Sequence, residues 1–255
     1  MSLHFKRAGQ GKPIVLLHGL FGSLDNLGAI SRELSSEFDV ISIDLPDHGR
    51  SSHSEQFSYD AYAQQVIDVI NLNELEQVSL LGHSMGGKVA MHLALNYPEK
   101  VSNLIVADIA PVQYGSRHNK VFDALRAVDL AGINSRKQAE QAMAHFIDEQ
   151  GVIQFLLRSL VQKPEGGFQW RFNLDMLQRD YHLLTQGISH PNSYEAPTLF
   201  IKGGNSDYIT NEHRPQIMNL FPTAKAKVIQ GAGHWLHAEK PSIFAKLVRD
   251  FVTTN

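Results

Sequence analysis

The segment Gly82-His83-Ser84-Met85-Gly86 constrains this chain more than any other stretch of it. It follows the apolar run 78–81 and opens a stretch of helical spacing that ends at Tyr97-Pro98. A strand, a tight turn carrying a serine, and then a helix make half of a parallel β–α unit. The serine projects from such a turn only where the backbone is sharply bent. A side chain two positions before or after it would collide with neighbouring backbone, and glycine stands at both places. The helix that follows aims free N–H groups and its positive end at negative charge developing beside the serine.

The rest of the chain repeats this rhythm. Apolar runs at 14–17, 40–44, 101–107, 199–202 and 226–229 read as further strands, and 59–71 and 243–252 have helical spacing. The pattern predicts an α/β fold with a mostly parallel sheet flanked by helices. A length of 255 residues suits one such domain, and a 43% hydrophobic content can fill its core. Between 112 and 193 the rhythm breaks. Helical patterns at 121–128, 137–146, 152–161 and 174–184 are interrupted only by a ribbon at 168–172, after Gly166-Gly167. A plain crossover between parallel strands needs only about a dozen residues. The excess predicts a helical cap inserted after the strand ending at Asp108. The expected division is a core of 1–111 and 194–255 with a cap of 112–193.

Charge and composition exclude several classes of function. The net charge is −3, from 23 basic and 26 acidic side chains, with no basic block to track a phosphate backbone, so no nucleic-acid partner is expected. The absence of cysteine removes disulfides, thiolate nucleophiles and cysteine-based zinc sites. No apolar stretch approaches the ~18 residues of a membrane span, and no apolar leader follows the first charges. The expectation is a cytoplasmic protein with no membrane partner. No His-Glu-x-x-His pattern appears, and neither a metal nor a cofactor is called for. The stretch from Gly82 to Lys88 also satisfies G-x-x-x-x-G-K, the phosphate-binding loop. Val89, however, stands where a serine or threonine must ligate magnesium. That rules against a nucleotide-binding function and leaves Lys88 expected as a solvated helix residue.

A serine is a weak nucleophile until a neighbouring base takes its proton. Of 13 histidines, His234 is the best placed, in Gly231-Ala232-Gly233-His234 after the strand at 226–229. Ligands bind at that edge of a doubly wound sheet, and the base comes last in the chain order of this arrangement. His237 is expected to pack nearby and His83 to lie buried beneath the turn. A carboxylate should orient the base. Asp108 and Asp207 both follow strands at suitable places, and the residues alone leave the choice open. An oxyanion needs two donors. Met85 N–H, after the serine, is one. Leu20 N–H, in His18-Gly19-Leu20-Phe21-Gly22, is the other, with Phe21 the alternative. In the expected cap, Phe146, Phe155, Trp170 and Tyr181 read as core rather than pocket. Arg117, His118 and Lys120 read as a solvated basic turn.

Six segments carry a resemblance: HGLFGSLDNLG at 18–28, DLPDHGRS at 44–51, GHSMGGKVAM at 82–91, DIAP at 108–111, IKGGNS at 201–206 and GAGHWLHAEKP at 231–241. Through them the chain resembles the α/β-hydrolases, and more closely the small bacterial YbfF-type esterases, over nearly its full length apart from the cap. The resemblance implies Ser84 as nucleophile, His234 as base and cleavage of short to medium acyl esters or acyl thioesters. It also implies that the acid is the aspartate of the DIAP-like segment, Asp108. Ser206 would then be a partner that orients the histidine or either aspartate. The same machinery serves carbon–carbon hydrolases and lyases of menaquinone-pathway type. A non-catalytic ligand receptor on this scaffold is the alternative from a different class.

Overall fold

The computed structural model describes residues 3–255. In chain order, β1 (Phe5–Ala8) and β2 (Pro13–Leu17) lead to α1 (Gly28–Leu34), β3 (Asp39–Ile43), α2 (Tyr59–Leu72), β4 (Val78–His83), α3 (Met85–Asn96) and β5 (Val101–Ala107). Then come α4 (Asn119–Arg126), α5 (Arg136–Met143), α6 (Gln150–Leu157), β6 (Leu160–Gln162), β7 (Phe168–Trp170), α7 (Leu174–Arg179) and α8 (Tyr181–Leu184). The chain closes with β8 (Thr198–Gly203), α9 (Arg214–Leu220), β9 (Lys225–Ile229), α10 (Leu236–Glu239) and α11 (Pro241–Thr254). Seven strands form one sheet in the order β1-β3-β2-β4-β5-β8-β9. Only β1 runs antiparallel to its neighbour.

The apolar runs are continuous because the sheet is covered on both faces. Successive side chains of a strand point to opposite faces. Val15, Leu17 and Leu80 join Val66, Ile70 and Val89 of α2 and α3 in one core. Ile14, Leu16 and Leu81 join Ile30, Leu34, Phe244 and Val248 of α1 and α11 in the other. The parallel register pairs Leu17 with Gly82, Gly82 with Val106, and Ala107 with Ile201. The carboxyl ends of β2, β4, β5 and β8 therefore finish side by side. The loops that follow them meet along one edge, where ligands bind in such sheets.

The structure departs from the sequence reading in a few places. β1 was not expected, because Phe-Lys-Arg-Ala is mostly exposed and carries no apolar run; backbone pairing with β3 makes it a strand. α1 and α9 are too short to show a clear period. The helix expected at 152–161 stops at Leu157, since Leu160–Gln162 pairs antiparallel with Phe168–Trp170 as the missing partner of the expected ribbon. The helix expected at 174–184 is two helices broken at Asp180. The Asp180 carboxylate accepts Phe57 N–H at 3.0 Å, and this docking overrides helix propensity.

The stretch between β5 and β8 is tied to the strand-end loops. Ser159 O–H donates to Phe21 O at 2.9 Å, and Asn173 Nδ2 donates to Asp47 Oδ1 at 2.9 Å. Its two ends meet, Tyr114 N–H donating to Thr185 O and Ile188 N–H to Pro111 O, each at 2.9 Å. No helix among the described residues is long and apolar enough to cross a membrane.

Candidate active site

Ser84 sits between β4 and α3 with φ 53° and ψ −120°. Only five non-glycine residues among those described take positive φ, and Phe21, Ser84 and Asp108 are three of them. Backbone strain of this kind costs about 1–3 kcal/mol per residue and gathers at functional sites. The glycines follow from the bend. A Cβ on Gly82 would lie 2.1 Å from Gly86 O, and one on Gly86 would lie 2.4 Å from His18 O. The turn also presses against the loop after β2, the one expected to supply an oxyanion donor.

The Ser84 hydroxyl donates to His234 Nε2 at 3.1 Å. His234 Nδ1–H donates to Asp108 Oδ2 at 2.8 Å. Asp108 is fully buried, and its charge is compensated by two more donors: Gly203 N–H reaches Oδ1 at 3.0 Å and Ser206 O–H bonds Oδ2. Ser206 thus bears on Asp108 and not on Asp207. Asp207 points elsewhere, and its carboxylate pairs with Arg117 at 2.6 Å near the surface. That pair still reaches the histidine indirectly. The Arg117 guanidinium lies 4.6 Å from the centre of the Tyr208 ring, which stacks on His234 at 4.0 Å and 20°.

His234 is held from behind as well. His83 Nε2–H donates to its carbonyl at 2.8 Å, and the His83 ring packs between His234 and His237. On the other side of Ser84, Leu45 N–H donates to His18 Nε2 at 3.0 Å. That leaves the His18 proton on Nδ1, which donates to Gly19 O at 2.8 Å and fixes the loop. Leu20 and Phe21 both lie in this loop, and neither N–H has an acceptor among the described residues. Met85 begins α3, where a helix leaves its first N–H groups free.

Burial lowers several histidines of this region: His18 to about 4, and His48 and His237 to about 3. His83 moves down for the same reason, helped by repulsion from His237 and His234. Each stays neutral in the folded chain, while the unfolded chain takes up a proton near pH 6.5. The unfolded state therefore binds more protons between pH 6.5 and about 4, and stability falls as pH drops through that window. Each group contributes up to about 1.4 kcal/mol per pH unit there. Urea unfolding is expected to show a lower midpoint at pH 5 than at pH 7; equal midpoints would contradict the neutral assignment.

A cavity of about 230 Å³ opens at Ser84, lined by Leu20, Phe21, Val121, Val152, Phe155, Leu156 and Trp235 beside His118 and His234. Phe155 faces Trp235 across it, ring centres 5.9 Å apart. Of the four aromatics expected as core, Trp170 is buried and stacked on Phe172, Phe146 is exposed, and Phe155 instead lines the cavity. Tyr181 is buried but also borders a smaller pocket on the far side of Ser84.

Two residues expected in solvent are not there. Lys88 lies one helical turn after Ser84 and is only 1% exposed, because that face of α3 turns inward under residues 184–186. His118 is half-buried, bonded through Nδ1 to the Tyr181 hydroxyl at 2.6 Å, and lowered to about 4 mainly by burial. Lys120 and Arg117 are exposed as expected. The sequence shows a lysine just after Gly86-Gly87, but its spacing leads only to the expectation of a solvated helix residue. Tyr208 left no signal at all.

Comparison with known proteins agrees with this architecture. The α/β hydrolase fold family matches residues 12–241. The chain is 41% identical over 242 residues to Esterase YbfF of Escherichia coli K12, covering 94% of this chain and 92% of that protein. It is 38% identical over 247 residues to the sn-1-specific diacylglycerol lipase ABHD11 of Mus musculus, covering 94% and 80%. A solved structure described as a marine microorganism esterase superposes with a TM-score of 0.96 at 40% identity, covering 98% and 99%. The chain therefore belongs to the α/β-hydrolase fold family, among its carboxylesterase-type enzymes.

Proposed function

We propose that the chain hydrolyses small acyl esters or acyl thioesters through a Ser84–His234–Asp108 triad and an acyl-enzyme. The observation that carries this is the unbroken series from the Ser84 hydroxyl, 3.1 Å from His234 Nε2, to the buried Asp108 carboxylate, 2.8 Å from His234 Nδ1. In the first step Ser84 Oγ attacks the acyl carbonyl as His234 takes its proton, and the oxyanion is met by the N–H groups of Leu20 and Met85. His234, oriented by Asp108, then protonates the leaving alcohol or thiol. Water repeats the sequence on the acyl-enzyme and releases the acid. Ser206 and Gly203 N–H keep Asp108 aimed at the histidine. In this reading residues 112–193 form the cap, and Phe155, Val152 and Leu156 of the cap close the apolar cavity over the substrate.

The test is a series of p-nitrophenyl esters from acetate to dodecanoate, set beside coenzyme A thioesters of the same acyl groups. Saturable hydrolysis is expected, with kcat/KM rising while the chain fits the cavity and falling beyond it. No turnover of any member would overturn the reading and favour a ligand receptor.

A further inference from the structure

Ser84 stands between two cavities. The larger is described above. The smaller holds about 40 Å³ and lies between Leu20, Met85, Ile109, Tyr114, Tyr181 and Lys88. That space takes about three waters, or the tail of a short acyl group.

The charge in its wall is the unexplained feature. Lys88 is four residues beyond Ser84, in the first turn of α3, and both side chains line this pocket. A buried ammonium normally meets a carboxylate. Lys88 meets none. Two of its three donors go to Thr185 O, at 3.3 Å, and Gln186 O. The rings of Tyr114 and Tyr59 lie 5.2 and 5.9 Å from Nζ. Burial, with no opposing acid, brings the lysine down to about 7. Three other polar groups of the wall already have partners. Tyr59 O–H donates to Leu184 O at 2.8 Å, Tyr114 O–H donates to Tyr208 O at 2.6 Å, and Arg117 holds Asp207. Tying down two carbonyls needs only a neutral donor, which avoids the desolvation of a charge. What a cation adds is affinity for an anion.

The geometry points to this small pocket as a carboxylate subsite: an acyl group ending in a carboxylate, as in half-esters or thioesters of short dicarboxylic acids, places its carbonyl at Ser84 and its free carboxylate on Lys88. This rests on the proposed acyl transfer at Ser84 and names the substrate class for it. The carboxylate supplies the counter-charge that Lys88 lacks and takes up its remaining donor.

The test compares monomethyl succinate and monomethyl glutarate with methyl butyrate and methyl pentanoate, followed by acid release at constant pH. The wild-type protein is expected to show kcat/KM about tenfold or more higher for the half-ester than for the neutral ester of matched length. In Lys88→Met, which keeps an unbranched apolar stem, that ratio is expected to fall about tenfold or more. A wild-type ratio at or below one, or an unchanged ratio in the variant, would overturn the inference. If Lys88→Met does not fold, inhibition of the wild type decides. Succinate and glutarate should compete at least about tenfold more tightly than butyrate and pentanoate, and equal inhibition overturns the subsite. Turnover of neutral esters that is lost in Ser84→Ala leaves the acyl-transfer reading standing whichever way the ratio falls. No turnover of either ester class overturns that reading, and the subsite with it.

Discussion

Ser84→Ala is expected to lower kcat on p-nitrophenyl butyrate by about 10⁴- to 10⁶-fold, and His234→Ala by a similar amount. The two losses do not add, because proton transfer between the hydroxyl and the imidazole is one event. The folded state should survive the first change. Among the described residues the Ser84 side chain hydrogen-bonds only His234, and alanine takes the same backbone angles. Thermal unfolding of Ser84→Ala followed by circular dichroism should stay within a few degrees of the wild type. Undiminished hydrolysis by a folded Ser84→Ala protein would remove the nucleophile from the proposal.

Asp108→Asn and Asp207→Asn should separate by orders of magnitude. An amide at position 108 no longer holds the His234 proton on Nδ1 and no longer offsets an imidazolium. A loss of about 10³- to 10⁴-fold in kcat follows. The same change at 207 weakens a pair whose aspartate side chain is 74% exposed. Such pairs contribute about 0–1 kcal/mol. Here the pair also steadies Arg117 against Tyr208, and through it the His234 ring. The expected effect on kcat is therefore below about tenfold. Steady-state kinetics of the two variants on one ester decide the matter, and the reverse ranking would transfer the role of acid to Asp207.

How much of this was legible in the sequence depended on how local each signal was. The turn at Ser84 announces itself because Gly82 and Gly86 are demanded by contacts within a few residues and by the adjoining loop. The parallel strands show as apolar runs because both sheet faces are covered. The choice between Asp108 and Asp207 is not local. Both follow neighbouring strands, and their separation depends on Asp108 turning inward at φ 52° beneath Gly203 and Ser206 while Asp207 turns out to Arg117. Lys88 misled for the opposite reason. A charged residue in a helix is usually solvated, and the packing of Thr185 and Gln186 over α3, with the rings of Tyr59 and Tyr114, buries this one. The split of 174–184 at Asp180 and the pairing of β6 with β7 are likewise tertiary events that override local period.

The most direct measurement is reaction of the protein with a fluorophosphonate, followed by mass spectrometry of its peptides. A single adduct on the peptide containing Ser84, absent when His234 is replaced by alanine, is the outcome this reading requires. A protein left unmodified under conditions that label ordinary serine esterases, or modified at another residue with its activity lost, would contradict it.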